Sequence, residues 1–153
     1  MIVTQSLSIE IAAERRKVFD YIADLRNDKY WRSEVNGTSI TGEVQVGAVA
    51  LEDSRLSPKV PSYLRKLRCT EWVDQTRVVY TSSTDESYFL RTLRTVHDND
   101  RGGTRVCYTL EFDSAVVKVG LGFSLPHTIV NWVTKRAMRR YLRTLKRNLE
   151  SKC

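Results

Sequence analysis

The last stretch of the chain constrains the fold more than any other. Residues 128–151 read as one long amphipathic helix, following a body dominated by strand-like alternation. Met138, Leu142, Leu145 and Leu149 recur at spacings of four, three and four residues, so they stack along one helical face. Lys135, Arg136, Arg139, Arg140, Arg143, Lys146 and Arg147 occupy the remaining arc. From Ile129 onward there are eight Lys/Arg and one acid, whereas the residues before it hold 17 of each. The formal net charge of +7 therefore resides on this helix. A helix with one apolar stripe must bury it against another layer, and here that layer must be the strands.

The strands are legible by their alternation. Val3, Leu7, Ile9 and Ile11 interleave with Thr4, Ser6, Ser8 and Glu10, which predicts a half-buried first strand. Glu14 to Asp24 then takes helical spacing, with Val18, Ile22 and Leu25 on one face. Asn27 is a candidate cap for a short second helix carrying Tyr30 and Trp31. Asn36-Gly37 and Thr41-Gly42 read as turns, Gly47 precedes a strand through Val49 and Leu51, and Ser57–Pro61 reads as a loop. A meander follows: Leu67, Cys69, Glu71 and Val73 on one face of a strand, then Val78–Tyr80, then Phe89–Val96. Asp98 to Gly103 carries a hairpin signal before Thr104–Phe112. Val116–Leu125, holding Gly120 and Gly122, is expected to be irregular or mobile, with Ser124 and Pro126 opening the final helix. Strands and helices segregated in this way predict an α+β fold of about seven antiparallel strands, two short helices and a long C-terminal helix. A sheet covered by a single long helix curves around it, leaving space between the two.

Composition narrows the function classes. A chain of 153 residues, 41% hydrophobic, suits a single domain over 1–153. No run reaches the roughly 18 apolar residues of a membrane span, and the N-terminus lacks the pattern of a signal peptide. Cys69, Cys107 and Cys153 are odd in number and widely spaced, which argues against a disulfide framework or metal site and for a reducing cytoplasm, with Cys153 as an exposed thiol. The chain lacks a nucleophile elbow, phosphate loop, zinc signature and dinucleotide fingerprint. No catalytic residue, metal or cofactor is therefore assigned.

Val18-Phe19-Asp20-Tyr21-Ile22-Ala23-Asp24, then Tyr30-Trp31 and Val35, resembles the opening helix pair of the START-like (SRPBCC) superfamily, which includes the birch pollen allergen, polyketide cyclases and lipid-transfer proteins. Val46-Gly47, Thr70-Glu71-Trp72 and Gly103-Thr104-Arg105-Val106 match its punctuation, and Leu142 to Glu150 is similar to its C-terminal ending. The resemblance spans essentially the whole chain. It implies a helix-grip fold, a curved sheet wrapped around the last helix and enclosing an apolar cavity, with no universal catalytic residue to carry over. Ala12-Ala13-Glu14 departs from the usual Pro or Ser cap before the first helix.

The cavity candidates are the inward residues Val106, Tyr108, Leu110 and Phe112, with Trp132 and Met138 from the helix; core packing is the competing reading of each. Tyr80, Tyr88 and Tyr108 add a hydroxyl to their apolar area. Arg91 and Arg94 lie on opposite strand faces. Arg94 shares its face with Leu90 and Val96, so it is expected inside with Glu71 as partner, either as a structural pair or as a clamp on a polar ligand group. Trp31 and Trp72 are packing anchors, and His97 and His127 have no carboxylate placed to orient them for acid–base work. Arg136, Arg139, Arg140, Arg143 and Arg147 form a solvated basic face open to anionic partners such as a membrane surface, with Leu121, Gly122 and Phe123 able to dip into it. Nucleic acid is disfavoured, because Tyr141 is the one aromatic among these cations. The expected function is binding or transport of an apolar small molecule, a lipid, quinone or polyketide. The alternatives are a cyclase or dehydratase using acid–base groups in the same cavity, and a surface-interaction protein.

Overall fold

A computed structural model describes residues 1–151; Cys153 lies outside the described residues. Apart from α2, the elements follow the expected order: β1 (Ile2–Ile11), α1 (Arg15–Ala23), a 3-10 helix (Leu25–Tyr30), β2 (Val35–Thr41), β3 (Val49–Ser54), β4 (Tyr63–Val73), β5 (Arg77–Ser82), β6 (Leu90–Asp98), β7 (Thr104–Asp113), α2 (Ala115–Leu121) and α3 (His127–Glu150). The seven strands form one antiparallel sheet in the order β1-β7-β6-β5-β4-β3-β2. β1 therefore pairs with β7, from Ile2 opposite Asp113 to Ile11 opposite Thr104. The first and last strands meet at one end of the order, and β2 forms the other edge.

α3 buries Met138, Leu142, Leu145 and Leu149 as its spacing predicts, together with Tyr141, which belongs to the packed face rather than to the cations around it. Each such aliphatic side chain contributes roughly 1.5–3 kcal/mol on burial. The last turn of α3 is also tied to the start of the chain. Glu150 accepts from the Ala12 N–H at 2.7 Å, and Lys17 Nζ donates to the Leu149 carbonyl at 3.0 Å. Glu14, at the start of α1, makes no side-chain cap. No helix is long and apolar enough to cross a membrane among the described residues.

Three local expectations need correction, each for a physical reason. Asn36-Gly37 lies inside β2, where the pairing with β3 shifts register, so the pair marks a bulge and not a turn. The 3-10 helix is capped by Asp24, whose carboxylate accepts from the Arg26 N–H, while Asn27 donates to the Tyr21 carbonyl. Residues 115–121 form the ordered helix α2. Gly122 ends it at φ +83°, a left-handed conformation that glycine adopts without strain. In β3 the inward residues are Ala50, Glu52 and Ser54, leaving Leu51 exposed.

Candidate functional site

The largest fully buried side chain is Arg94, midway along β6 and opposite Tyr108 of β7 and Val78 of β5. The alternation of β6 places it inward, but its partner is Asp28 of the 3-10 helix rather than Glu71. Arg94 donates to Asp28 Oδ1 at 2.7 Å and Oδ2 at 2.6 Å, and to the Ile22 carbonyl at 2.8 Å. Its guanidinium stands 5.0 Å from the Trp31 ring and 5.4 Å from the Tyr108 ring. Trp31 in turn meets Tyr108 edge-on at 5.6 Å, which makes Trp31 the anchor its sequence context suggests. Trp72 likewise packs edge-on against Phe19 at 5.3 Å.

Glu71 fails as a partner because β4 bulges between Cys69 and Glu71, where Thr70 has no opposite residue on β5. The extra residue reverses the phase of the strand. Trp72 turns inward, Glu71 turns outward to pair with Arg77 at 2.9 Å, and Val73 is exposed.

Asp28 is shared. It accepts from Arg32 Nη1 at 2.9 Å, and Arg32 reaches Glu52 Oε2 at 3.2 Å and lies 3.4 Å from Glu34 Oε1. Ser54 Oγ donates to Glu52 Oε1 at 2.9 Å, and the Tyr141 hydroxyl of α3 donates to Glu34 Oε2 at 2.7 Å. One buried network thus joins β6, the 3-10 helix, β3 and α3. Burial opposes the charge on Arg32 and Arg94, yet the neighbouring acids more than offset it and hold both above the ordinary arginine range. Burial also pushes Tyr80, Tyr108 and Tyr141 well up, reinforced at Tyr141 by the Glu34 charge.

Beside this network lies a cavity of about 570 Å³, bounded by α3, β3, β4, β6, β7, α2 and the segment after β3. Leu90, Leu110, Phe112, Val116, Ala137 and Met138 make its apolar wall. Arg32, Glu34, Glu52, Ser54, Arg65 and Tyr141 supply the polar part, and the exposed Arg55, Pro58, Val133 and Arg140 stand at the rim. The volume falls within the roughly 300–1,000 Å³ of small-molecule sites.

Of the candidates read from the sequence, Leu110, Phe112 and Met138 border this space. Val106, Tyr108, Tyr80 and Arg94 are packed in the core away from it. The helix pair explains the division. Tyr80 reaches toward the Ala23 carbonyl and Arg94 binds the Ile22 carbonyl, so α1 and the 3-10 helix fill that half of the concave face. Tyr88 precedes β6, half-buried and outside the cavity lining. Trp132 is 61% exposed with the Arg136 guanidinium 5.4 Å from its ring, so it is no part of the wall. Arg136, Arg139, Arg143 and Arg147 face outward, whereas Arg140 stands at the cavity rim. His97 and His127 are both exposed.

Sequence reasoning missed Asp28, Arg32, Glu34, Glu52 and Arg65. Two signals were present: Asp28 and Arg32 are four residues apart, and Arg65 alternates with Leu67 and Cys69. Among the described residues no cluster of three or more His, Cys, Asp or Glu is placed to hold a metal.

The family of polyketide cyclases/dehydrases and lipid-transport proteins matches residues 3–150, and the chain belongs to it. Solved structures agree on the fold. A START superfamily protein from Mycobacterium smegmatis superposes with a TM-score of 0.74 at 12% identity, covering 96% of this chain and 97% of that one. A protein from Chromobacterium violaceum gives 0.71 at 15% identity, covering 97% and 99%. The di-domain ARO/CYC BexL from the BE-7585A biosynthetic pathway gives 0.71 at 15% identity, covering 99% of this chain and 51% of that one. No curated protein matches the sequence. The architecture is the helix-grip fold of the START-like proteins.

Proposed function

We propose that the protein binds or carries an apolar small molecule, of lipid, quinone or polyketide type, in the cavity between the sheet and α3. The observation that carries this reading is the space itself: about 570 Å³ walled by Leu90, Leu110, Phe112 and Met138, with hydrogen-bonding groups grouped elsewhere in its lining. Membership of a family of cyclases and lipid-transport proteins supports it. Catalysis of the cyclase or dehydratase type would need a free acid–base group in the cavity. Glu34 and Glu52 are both engaged as acceptors, from Tyr141 and from Arg32 and Ser54, which favours binding over chemistry. Native mass spectrometry of gently purified protein tests the proposal. A discrete co-purifying mass is expected, and its loss on Leu110→Trp would locate it; a ligand-free protein that also takes up no Nile red would refute the reading.

A second reading rests on a separate observation. Phe123, Ile129, Trp132 and Val133 are exposed just before and within the first turns of α3, the helix that carries the excess charge, and Val133 also lines the cavity. Apolar side chains backed by cations suit an anionic membrane surface. The one aromatic within the basic run, Tyr141, is buried against Glu34 and so cannot stack on a base. Flotation with anionic liposomes at low and high salt separates this from RNA binding.

A further inference from the structure

Arg65 is the buried cation that the protein itself leaves unanswered. It lies on β4, lines the cavity and is 8% exposed. Its side chain makes no hydrogen bond or ion pair among the described residues, and its Nε is sealed from solvent without a partner. The guanidinium stands 5.2 Å from the Tyr63 ring, which offers a cation–π contact but accepts no strong hydrogen bond. Arg32 and Arg94, buried to a similar degree, each hold carboxylates. Sealing one donor of a guanidinium from water without an acceptor is costly, so its neighbourhood is incomplete as it stands.

The protein's own acids are already committed. Glu52 is opposite Arg65 in the β3–β4 register, yet its carboxylate turns to Arg32 and Ser54. Glu34, the other acid on the cavity lining, is held by Arg32 and Tyr141. The lining and rim together carry Arg32, Arg55, Arg65 and Arg140 against these two glutamates, an excess of positive charge.

We infer that the cavity selects an amphipathic anion, with its carboxylate or phosphate on the Arg65 fork and its apolar part against Leu90, Leu110, Phe112 and Met138. This rests on the cavity-binding reading above and names its ligand class. The planar guanidinium presents parallel donors that match a carboxylate or phosphate two bonds at a time, a geometry no neutral head group satisfies equally.

Displacement of Nile red by dodecanoate, methyl dodecanoate and dodecyl phosphate tests the inference, with acetate and inorganic phosphate as heads without tails. The acid or the alkyl phosphate is expected to bind about 10–100-fold more tightly than the ester, and the stronger of the two identifies the head group. The tailless anions are expected to displace nothing. Arg65→Gln should erase the preference, bringing the acid and the alkyl phosphate to the affinity of the ester, and Arg65→Lys should restore part of it. The acid–ester comparison in the unaltered protein stands even if a variant fails to fold. Equal affinity of acid, phosphate and ester, or a preference that survives in folded Arg65→Gln, would overturn the inference and leave the cavity reading intact. Displacement by inorganic phosphate alone would also overturn it. Failure of Nile red to bind protein that native mass spectrometry shows to be ligand-free would overturn the cavity reading, and this inference with it.

Discussion

Arg94 shows how much one residue's environment decides. Its inward orientation is legible because Leu90, Thr92, Arg94 and Val96 alternate with half-exposed neighbours. Its partner is not legible, because Asp28 lies 66 residues upstream on a short 3-10 helix with no periodicity to announce a buried face. Removing one member of a buried pair strands the other. Arg94→Met should therefore cost about 3–5 kcal/mol in urea unfolding. Adding Asp28→Leu should recover part of that loss, though Arg32 then loses one of its acids. A cost below about 1 kcal/mol, the range of exposed pairs, would show the network to be dispensable. The tyrosines set a pH limit. Tyr80, Tyr108 and Tyr141 ionise above their unfolded value of about 10. Their contribution is thus fully present below pH about 10 and is lost as pH rises through the folded values. The tyrosinate absorbance of these three should appear only where circular dichroism reports unfolding; ionisation of all seven tyrosines with the fold intact would contradict it.

Among the elements, those with strong local chemistry were readable and those defined by contact were not. The 98–103 hairpin is fixed by Asn99, whose Oδ1 accepts from the Arg101 and Gly103 N–H groups, so composition alone revealed it. α2 was hidden because its glycines read as breakers. Gly120 is instead a packing position: a Cβ there would lie 3.1 Å from Leu56 Cβ, and Ser57 Oγ donates to its carbonyl. These contacts pin α2 to the segment after β3, and Leu56, Ser57 and Val116 all line the cavity. Gly120→Val should wedge the two apart, costing about 1–3 kcal/mol by overpacking and speeding Nile red release in stopped-flow measurements. An unchanged release rate would place the opening elsewhere.

At the scale of the whole molecule, the strand count, the sheet-and-helix layering and the lopsided charge could all be read in advance, because each repeats over many residues. The cavity's position could not, since it depends on which half of the sheet the helix pair fills. Arg136, Arg139 and Arg143 are exposed, so reversing all three to Glu should leave the unfolding transition nearly unchanged while abolishing flotation with anionic liposomes at low salt. Flotation that persists would assign membrane contact to the apolar side chains alone. The bulge in β4 has its own consequence for the shape. Thr70 is spare length: deleting it keeps Cys69 and Trp72 on the side they already occupy and only straightens the strand, whereas deleting Lys66 would turn one end of it inside out. A protein shortened at Thr70 should still unfold cooperatively, with a flatter ribbon and a differently proportioned chamber.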